Sequence, residues 1–131
     1  MRRRRQRRQD EVVLNQAINA ETLLAMRQVV EDVHVHEDLE GYIAALVHET
    51  RIDRRVAVGA SPRGSLAFLK MARARAALDG RDYILPDDIK HFAVQVLSHR
   101  LILQPEHWMA QNVASDVIKF VFSKIPVPVI D

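Results

Sequence analysis

The stretch from Gly59 opens a sharply bounded helix that runs to about Leu78, and a helix of that kind needs other helices around it. Ser61 stands where an N-cap hydroxyl can accept a hydrogen bond from a first-turn amide. Pro62 suits the first helical position, where its missing N–H costs nothing. Ala67, Leu69, Met71, Ala72, Ala74, Ala76, Ala77 and Leu78 are good helix formers. Asp79 and Gly80 close the segment, and Gly80 can take the left-handed cap conformation. On a helical wheel Ser65, Phe68, Leu69, Ala72 and Ala76 share one sector, while Ala67, Met71, Ala74 and Leu78 share another. Lys70 and Arg73 divide the sectors on one side and Arg75 on the other. Two apolar sectors predict a central helix with neighbours on both sides.

The rest of the chain supplies those neighbours. Asn19 can cap a helix over residues 20–30, in which Leu23, Leu24, Arg27 and Val30 share a face. Val33 to His36 alternate as a short extended link. Glu37 and Asp38 open a helix to about Thr50, and its Leu39, Tyr42, Ile43, Leu46 and Val47 repeat as one buried stripe. Residues 51–59 are a basic connector, with Val56 and Val58 as a short extended piece. Pro86, Asp87 and Asp88 open a helix to Ser98 or His99, the two acids complementing its positive end. Its stripe is Ile89, Phe92, Ala93, Val96 and Leu97. Leu101, Ile102 and Leu103 form an extended apolar link, and Pro105 marks a break. A last helix over residues 113–124 turns Val113, Val117, Phe120, Val121 and Ile125 inward, and the prolines at 126 and 128 make the end an extended tail. The expected fold is all-α, a small bundle of about five helices with short extended links.

Charge is unevenly placed. The chain has 131 residues and a net charge of +2, yet six of its 19 basic residues are arginines within residues 2–8. Without them the remainder holds 13 basic against 17 acidic residues, a net of −4. A nucleic-acid-binding domain more often carries its positive charge on the folded face. The arginine run has no aromatic residue to stack on bases, so a solvated helix end or terminus is favoured over a nucleic-acid or anionic-membrane arm. There is no cysteine, no signal peptide and no apolar run near the ~20 residues of a membrane span. A soluble cytoplasmic protein is the expectation.

The sequence lacks both a G-x-x-x-x-G-K-[ST] loop and a G-x-G-x-x-G turn. Its six histidines show no metal-ligand spacing: His34 and His36 lack a third partner, and His91, His99 and His107 lie eight apart. No metal site is expected. Arg63 differs in kind. A first-turn arginine adds a cation to the positive end of a helix, an unfavourable place unless an anion is near, and phosphate suits such a site. Local pattern alone still reads it as a surface arginine.

Several words in fixed order alter that weighing. Val58-Gly59-Ala60-Ser61-Pro62-Arg63-Gly64-Ser65-Leu66, Ala72-Arg73-Ala74-Arg75-Ala76, Leu78-Asp79-Gly80-Arg81-Asp82-Tyr83-Ile84-Leu85-Pro86-Asp87-Asp88-Ile89 and Leu97-Ser98-His99-Arg100-Leu101-Ile102-Leu103 together resemble the C-terminal lid of MoxR-type AAA+ ATPases. The resemblance covers residues 15–104 and is strongest over 58–103. It implies a helical lid following an α/β nucleotide-binding core. Residues 1–14 would be a basic arm or the end of that core and its hinge, 15–104 the lid, and 105–131 a C-terminal helix with a Pro-containing tail. Arg63 maps onto the family's sensor 2 arginine, which contacts the ATP γ-phosphate, with Ser61, Pro62 and Gly64 near the nucleotide. ATP and Mg would be bound through the core subdomain. The implied partners are that core and neighbouring subunits of a ring, usually hexameric, with a von Willebrand factor A domain protein as a further one. The implied role is a chaperone-like remodelling motor. Walker A and Walker B segments are absent from this sequence, so the chain alone is expected not to hydrolyse ATP. The alternatives are a helical DNA-binding module using residues 2–8 with Arg51, Arg54 and Arg55, or a scaffold using apolar surface around Phe120, Phe122 and the tail.

Overall fold

The computed structural model describes residues 14–129. The arginine run at residues 2–8 and the last two residues lie outside that range. Six helices are present among the described residues: α1 (Ala20–Asp32), α2 (Glu37–Glu49), α3 (Pro62–Leu78), α4 (Pro86–His91), α5 (Ala93–Leu97) and α6 (Val113–Lys124). Two short strands, β1 (Val56–Val58) and β2 (Ile102–Leu103), pair antiparallel, Val56 opposite Leu103 and Val58 opposite Ile102. The expected all-α bundle is therefore present, and two of its three extended links form a ribbon instead of lying apart.

Helix α3 is central, as its two sectors require. It packs against α1, α2, α4 and α5, and its Gly64, Phe68, Ala72 and Ala76 are buried. The second sector is less covered: Met71 is half-exposed and Leu78 projects into solvent. The expected stripe of α2, Leu39 to Val47, is buried throughout. Phe122 of α6 meets Tyr42 and Phe68 edge-on, each with ring centroids 6.3 Å apart, and so joins α2, α3 and α6. Such aromatic pairs add about 0.5–1.5 kcal/mol beyond their burial.

Three local readings need correction. The helix expected from Pro86 to Ser98 or His99 breaks at Phe92 (φ −101°, ψ 7°), and this bend lets Ile89 of α4 and Ala93, Val96 and Leu97 of α5 enter one core. In α6 the inward residues are Val117, Ile118 and Val121, while Phe120 stays half-exposed. Phe120 is held at the surface by two cations, Arg55 and Lys124, each 5.4 Å from its ring centroid. Helix α1 buries no residue, and Leu23 and Leu24 of its supposed inner face are exposed. It is attached through Val33, through a bridge in which the His34 amide donates to the Asp82 carbonyl (2.7 Å), and through Arg73 to Glu31 (3.3 Å).

Asp88 serves the helix start as expected, its carboxylate taking the Leu85 amide, and does more besides. Asp87 is exposed, as a residue complementing a helix dipole should be, but Asp88 is only 2% exposed. Its carboxylate accepts two hydrogen bonds from Arg81 (2.8 Å each) and one from the Leu85 amide (2.7 Å). Arg75 Nε stands 3.2 Å away. The C-terminal end of α3 is thereby fastened to the start of α4. Gly80 has φ +73°, the left-handed turn expected there.

Burial opposes the charge on Asp88, but the hydrogen bonds from Arg81 and Leu85 and the charges of Arg81 and Arg75 outweigh it and hold its pKa low. A carboxylate held low stabilises the fold fully above its unfolded pKa of about 4, and that stabilisation is lost as pH falls through the folded value. Asp53, held low chiefly by its hydrogen bond with Arg55, behaves likewise. Thermal melts from pH 7 to pH 2 are therefore expected to show falling stability below about pH 4. Asp88→Asn is expected to cost about 2 kcal/mol at pH 7 and to shrink the acid-side loss, leaving the part due to Asp53. An Asp88→Asn curve parallel to wild type would contradict the assignment.

Candidate functional site

The start of α3 is built from the C-terminal end of α2. Thr50, which follows α2, is fully buried. Its hydroxyl donates to the Val47 carbonyl (2.7 Å) and accepts from the Ala60 amide (3.0 Å). Arg51 Nε donates to the Ala60 carbonyl (3.0 Å). Both polar groups of the buried Ala60 backbone are thus held by two consecutive side chains.

Two glycines let the segment come this close. A Cβ on Gly59 would lie 2.8 Å from the backbone N and Cα of Arg51. A Cβ on Gly64 would stand 3.3 Å from Leu97, 3.5 Å from Ala60 and 3.7 Å from Val47. Gly64, expected near a nucleotide, is itself buried and serves packing. Ser61 has the extended backbone of an N-cap, but its side chain makes no capping bond. The Gly64 amide, one of the donors the hydroxyl could take, is engaged by the Ser61 carbonyl (2.7 Å). The Ser61 hydroxyl is left at the surface beside Pro62, which occupies the first helical turn as expected.

Arg63 follows, exposed. Arg73 and Arg75, further along α3, are tied to Glu31 and Asp88. Among the described residues Arg63 makes neither an ion pair nor a side-chain hydrogen bond, and the first turn of α3 holds no acidic residue. The guanidinium therefore adds to the positive helix end with nothing to offset it. This arrangement fits a phosphate oxygen, which an arginine can bind through two donors. It offers no carboxylate for Mg, so an ion accompanying the phosphate would take its protein ligands from elsewhere. Among the described residues no cluster of three His, Cys, Asp or Glu could hold a metal.

The residues named for a DNA surface are partly committed elsewhere: Arg55 pairs with Asp53 at 2.6 Å and Arg51 holds Ala60. Of the two residues named for a scaffold surface, Phe120 is half-exposed and Phe122 packs on the core. Sequence reasoning missed Thr50 and Arg51. A usable signal was present, because Thr50 lies four residues after Leu46 and so continues the buried stripe.

The family model described as the AAA lid domain matches residues 48–119, and the chain belongs to that family. That span begins just before Thr50 and includes the ribbon, the whole of α3 and Asp88. YeaC of Bacillus subtilis is 36% identical over 116 residues, which is 88% of this chain and 36% of YeaC. The chaperone MoxR1 of Mycobacterium tuberculosis is 31% identical over 112 residues, 79% of this chain and 29% of MoxR1. A crystal structure of a candidate ATPase from Cytophaga hutchinsonii superposes with a TM-score of 0.79 at 30% identity, over 83% of this chain and 36% of that one. The chain is the C-terminal lid of a MoxR-family AAA+ ATPase, and it spans about a third of the length of the relatives named here.

Gly59→Ala is expected to destabilise the fold by about 2 kcal/mol, because its new methyl meets backbone, and Gly64→Ala by less, because the Leu97 side chain can yield. Urea unfolding measures both. A Gly59→Ala protein as stable as wild type would contradict the close approach.

Proposed function

We propose that this chain acts as the moving lid of a nucleotide-driven remodelling ATPase, with Arg63 as its sensor 2 arginine. The observation that carries this reading is the exposed Arg63, unpaired among the described residues, at the first turn of a helix whose start is pinned. Such a group can deliver one positive charge to the γ-phosphate of an ATP bound by the α/β core. Ser61 and Pro62 would lie beside the nucleotide, and Gly64 beneath it. ATP and Mg bring the phosphoryl-transfer chemistry. This chain contributes positioning and charge, the main sources of catalysis in such reactions.

In this reading residues 1–14 lead from the core, residues 15–104 form the lid, and residues 105–131 add the final helix and tail. Lid angle follows nucleotide state, because contact with the γ-phosphate is lost on hydrolysis. Core subdomains and neighbouring subunits of a ring, a hexamer in our reading, are the partners, with a von Willebrand factor A domain protein as an associated factor. The similarity to a protein named as a chaperone supports the remodelling role. We place the protein in the cytoplasm; no described helix is long and apolar enough to cross a membrane.

In a MoxR-type ATPase carrying this chain as its lid, Arg63→Ala is expected to lower turnover about 10²–10³-fold. The melting temperature should stay near wild type, since the side chain is exposed. Steady-state hydrolysis assays decide the matter, and unchanged turnover would overturn the sensor role.

A further inference from the structure

We propose that Thr50 and Arg51 are positioning residues for Arg63: together they clip the peptide of Ala60 to the end of α2 and so set where the guanidinium of Arg63 stands. The inference rests on the reading of Arg63 as a phosphate contact and extends it to two residues outside the Ser-Pro-Arg stretch.

The geometry is specific. Thr50 is one of two buried polar or charged residues among those described, the other being Asp88. Its hydroxyl is used twice, donating to Val47 at 2.7 Å and accepting from Ala60 at 3.0 Å. A hydroxyl needed only for capping the end of α2 would require the first bond alone. The second reaches ten residues ahead to the loop before α3. Arg51 then takes the carbonyl of the same residue at 3.0 Å. Two residues, Ser61 and Pro62, separate that clip from Arg63. One residue beyond Arg63, Gly64 rests on Leu97, Ala60 and Val47. Arg63 is thus flanked by two buried residues, Ala60 held by the Thr50 and Arg51 that follow α2, and Gly64, where an added Cβ would crowd Leu97. Between them the side chain of Arg63 is exposed and open to a partner approaching from outside the lid.

A charge delivered across a subdomain boundary must arrive within a fraction of an ångström, and a misplacement of about 1 Å can cost about 10²-fold in rate. Loss of the clip leaves the Ala60 amide buried and unpaired, so the loop must shift to find water or another acceptor. Arg63 would move with it while keeping its charge.

The test uses a MoxR-type ATPase carrying this chain as its lid, with Thr50→Val, Thr50→Ser, Arg51→Met and Arg63→Ala. Thr50→Val is expected to lower kcat about 10- to 100-fold, with KM for ATP changed by less than about twofold. Thr50→Ser keeps the hydroxyl and should restore most of the rate. Arg51→Met should give a smaller loss of the same kind. In the Arg63→Ala background Thr50→Val should lower kcat no further, because its effect passes through Arg63. Rates are compared below the melting temperature of each variant, so loss of stability alone would leave kcat unchanged. Hydrogen exchange at the Ala60 amide should quicken in Thr50→Val and not in Arg63→Ala. Wild-type kcat in Thr50→Val, with Arg63→Ala impaired, would overturn the positioning role and leave the sensor reading intact. A further loss on adding Thr50→Val to Arg63→Ala would also overturn it, placing the effect elsewhere. Wild-type turnover in Arg63→Ala would remove both readings together. If Thr50→Val fails to fold, Thr50→Ser and Arg51→Met carry the comparison: slowed kcat in Arg51→Met alone supports the clip, and wild-type kcat in both overturns it.

Discussion

Helix α3 is gripped at both ends, and the rest of the fold is arranged to make that possible. At its start, the Thr50 hydroxyl and the Arg51 guanidinium hold the Ala60 peptide while Gly64 lies against Leu97. At its end, Arg75 and Arg81 close on the buried carboxylate of Asp88. The two fastenings differ in chemistry. The first is a neutral hydroxyl serving two backbone groups, aided by one cation. The second is an ion pair that burial alone would disfavour and that hydrogen bonds make favourable. Between them, a face of small residues and Phe68 packs against the surrounding helices.

A helix fastened at both ends suits the proposed task of bringing one charge to a phosphate and taking it away. The exposed end of the device is Arg63, and every group that fixes it lies behind it, inside the lid. In the proposed reading the other half of the site belongs to the nucleotide-binding core.

Much of this architecture can be read from the chain alone, for physical reasons. Burial of one helix face imposes a 3.6-residue period, so Leu39, Tyr42, Ile43, Leu46 and Val47 announce their helix and its inward side. Pro62 and Gly80 mark the ends of α3 because each has a backbone preference that few other residues share. The pairing of Val56 with Leu103 could not be read this way, since two short apolar pieces carry no record of each other. Asp87 and Asp88 look alike in sequence, and only the fold separates a solvated acid from the hub of an ion network. Phe120 has the right spacing for the core, yet two cations keep it at the surface. At the candidate site, the exposure of Arg63 agrees with its place in the first turn, while its proposed role rests on the family words around it. The clip on Ala60 was not legible, because it joins residues ten apart through a side chain that propensity treats as an ordinary helix end.

The central claim is that Arg63 contacts the terminal phosphate of a nucleotide held by another subdomain. A crystal or cryo-electron-microscopy structure of the whole ATPase, loaded with a non-hydrolysable ATP analogue, tests it most directly. The account predicts the Arg63 guanidinium within about 2.7–2.9 Å of a γ-phosphate oxygen, with the Thr50 and Arg51 bonds to Ala60 intact. A closed, nucleotide-loaded site in which Arg63 points into solvent, or pairs with a carboxylate of the core, would contradict it.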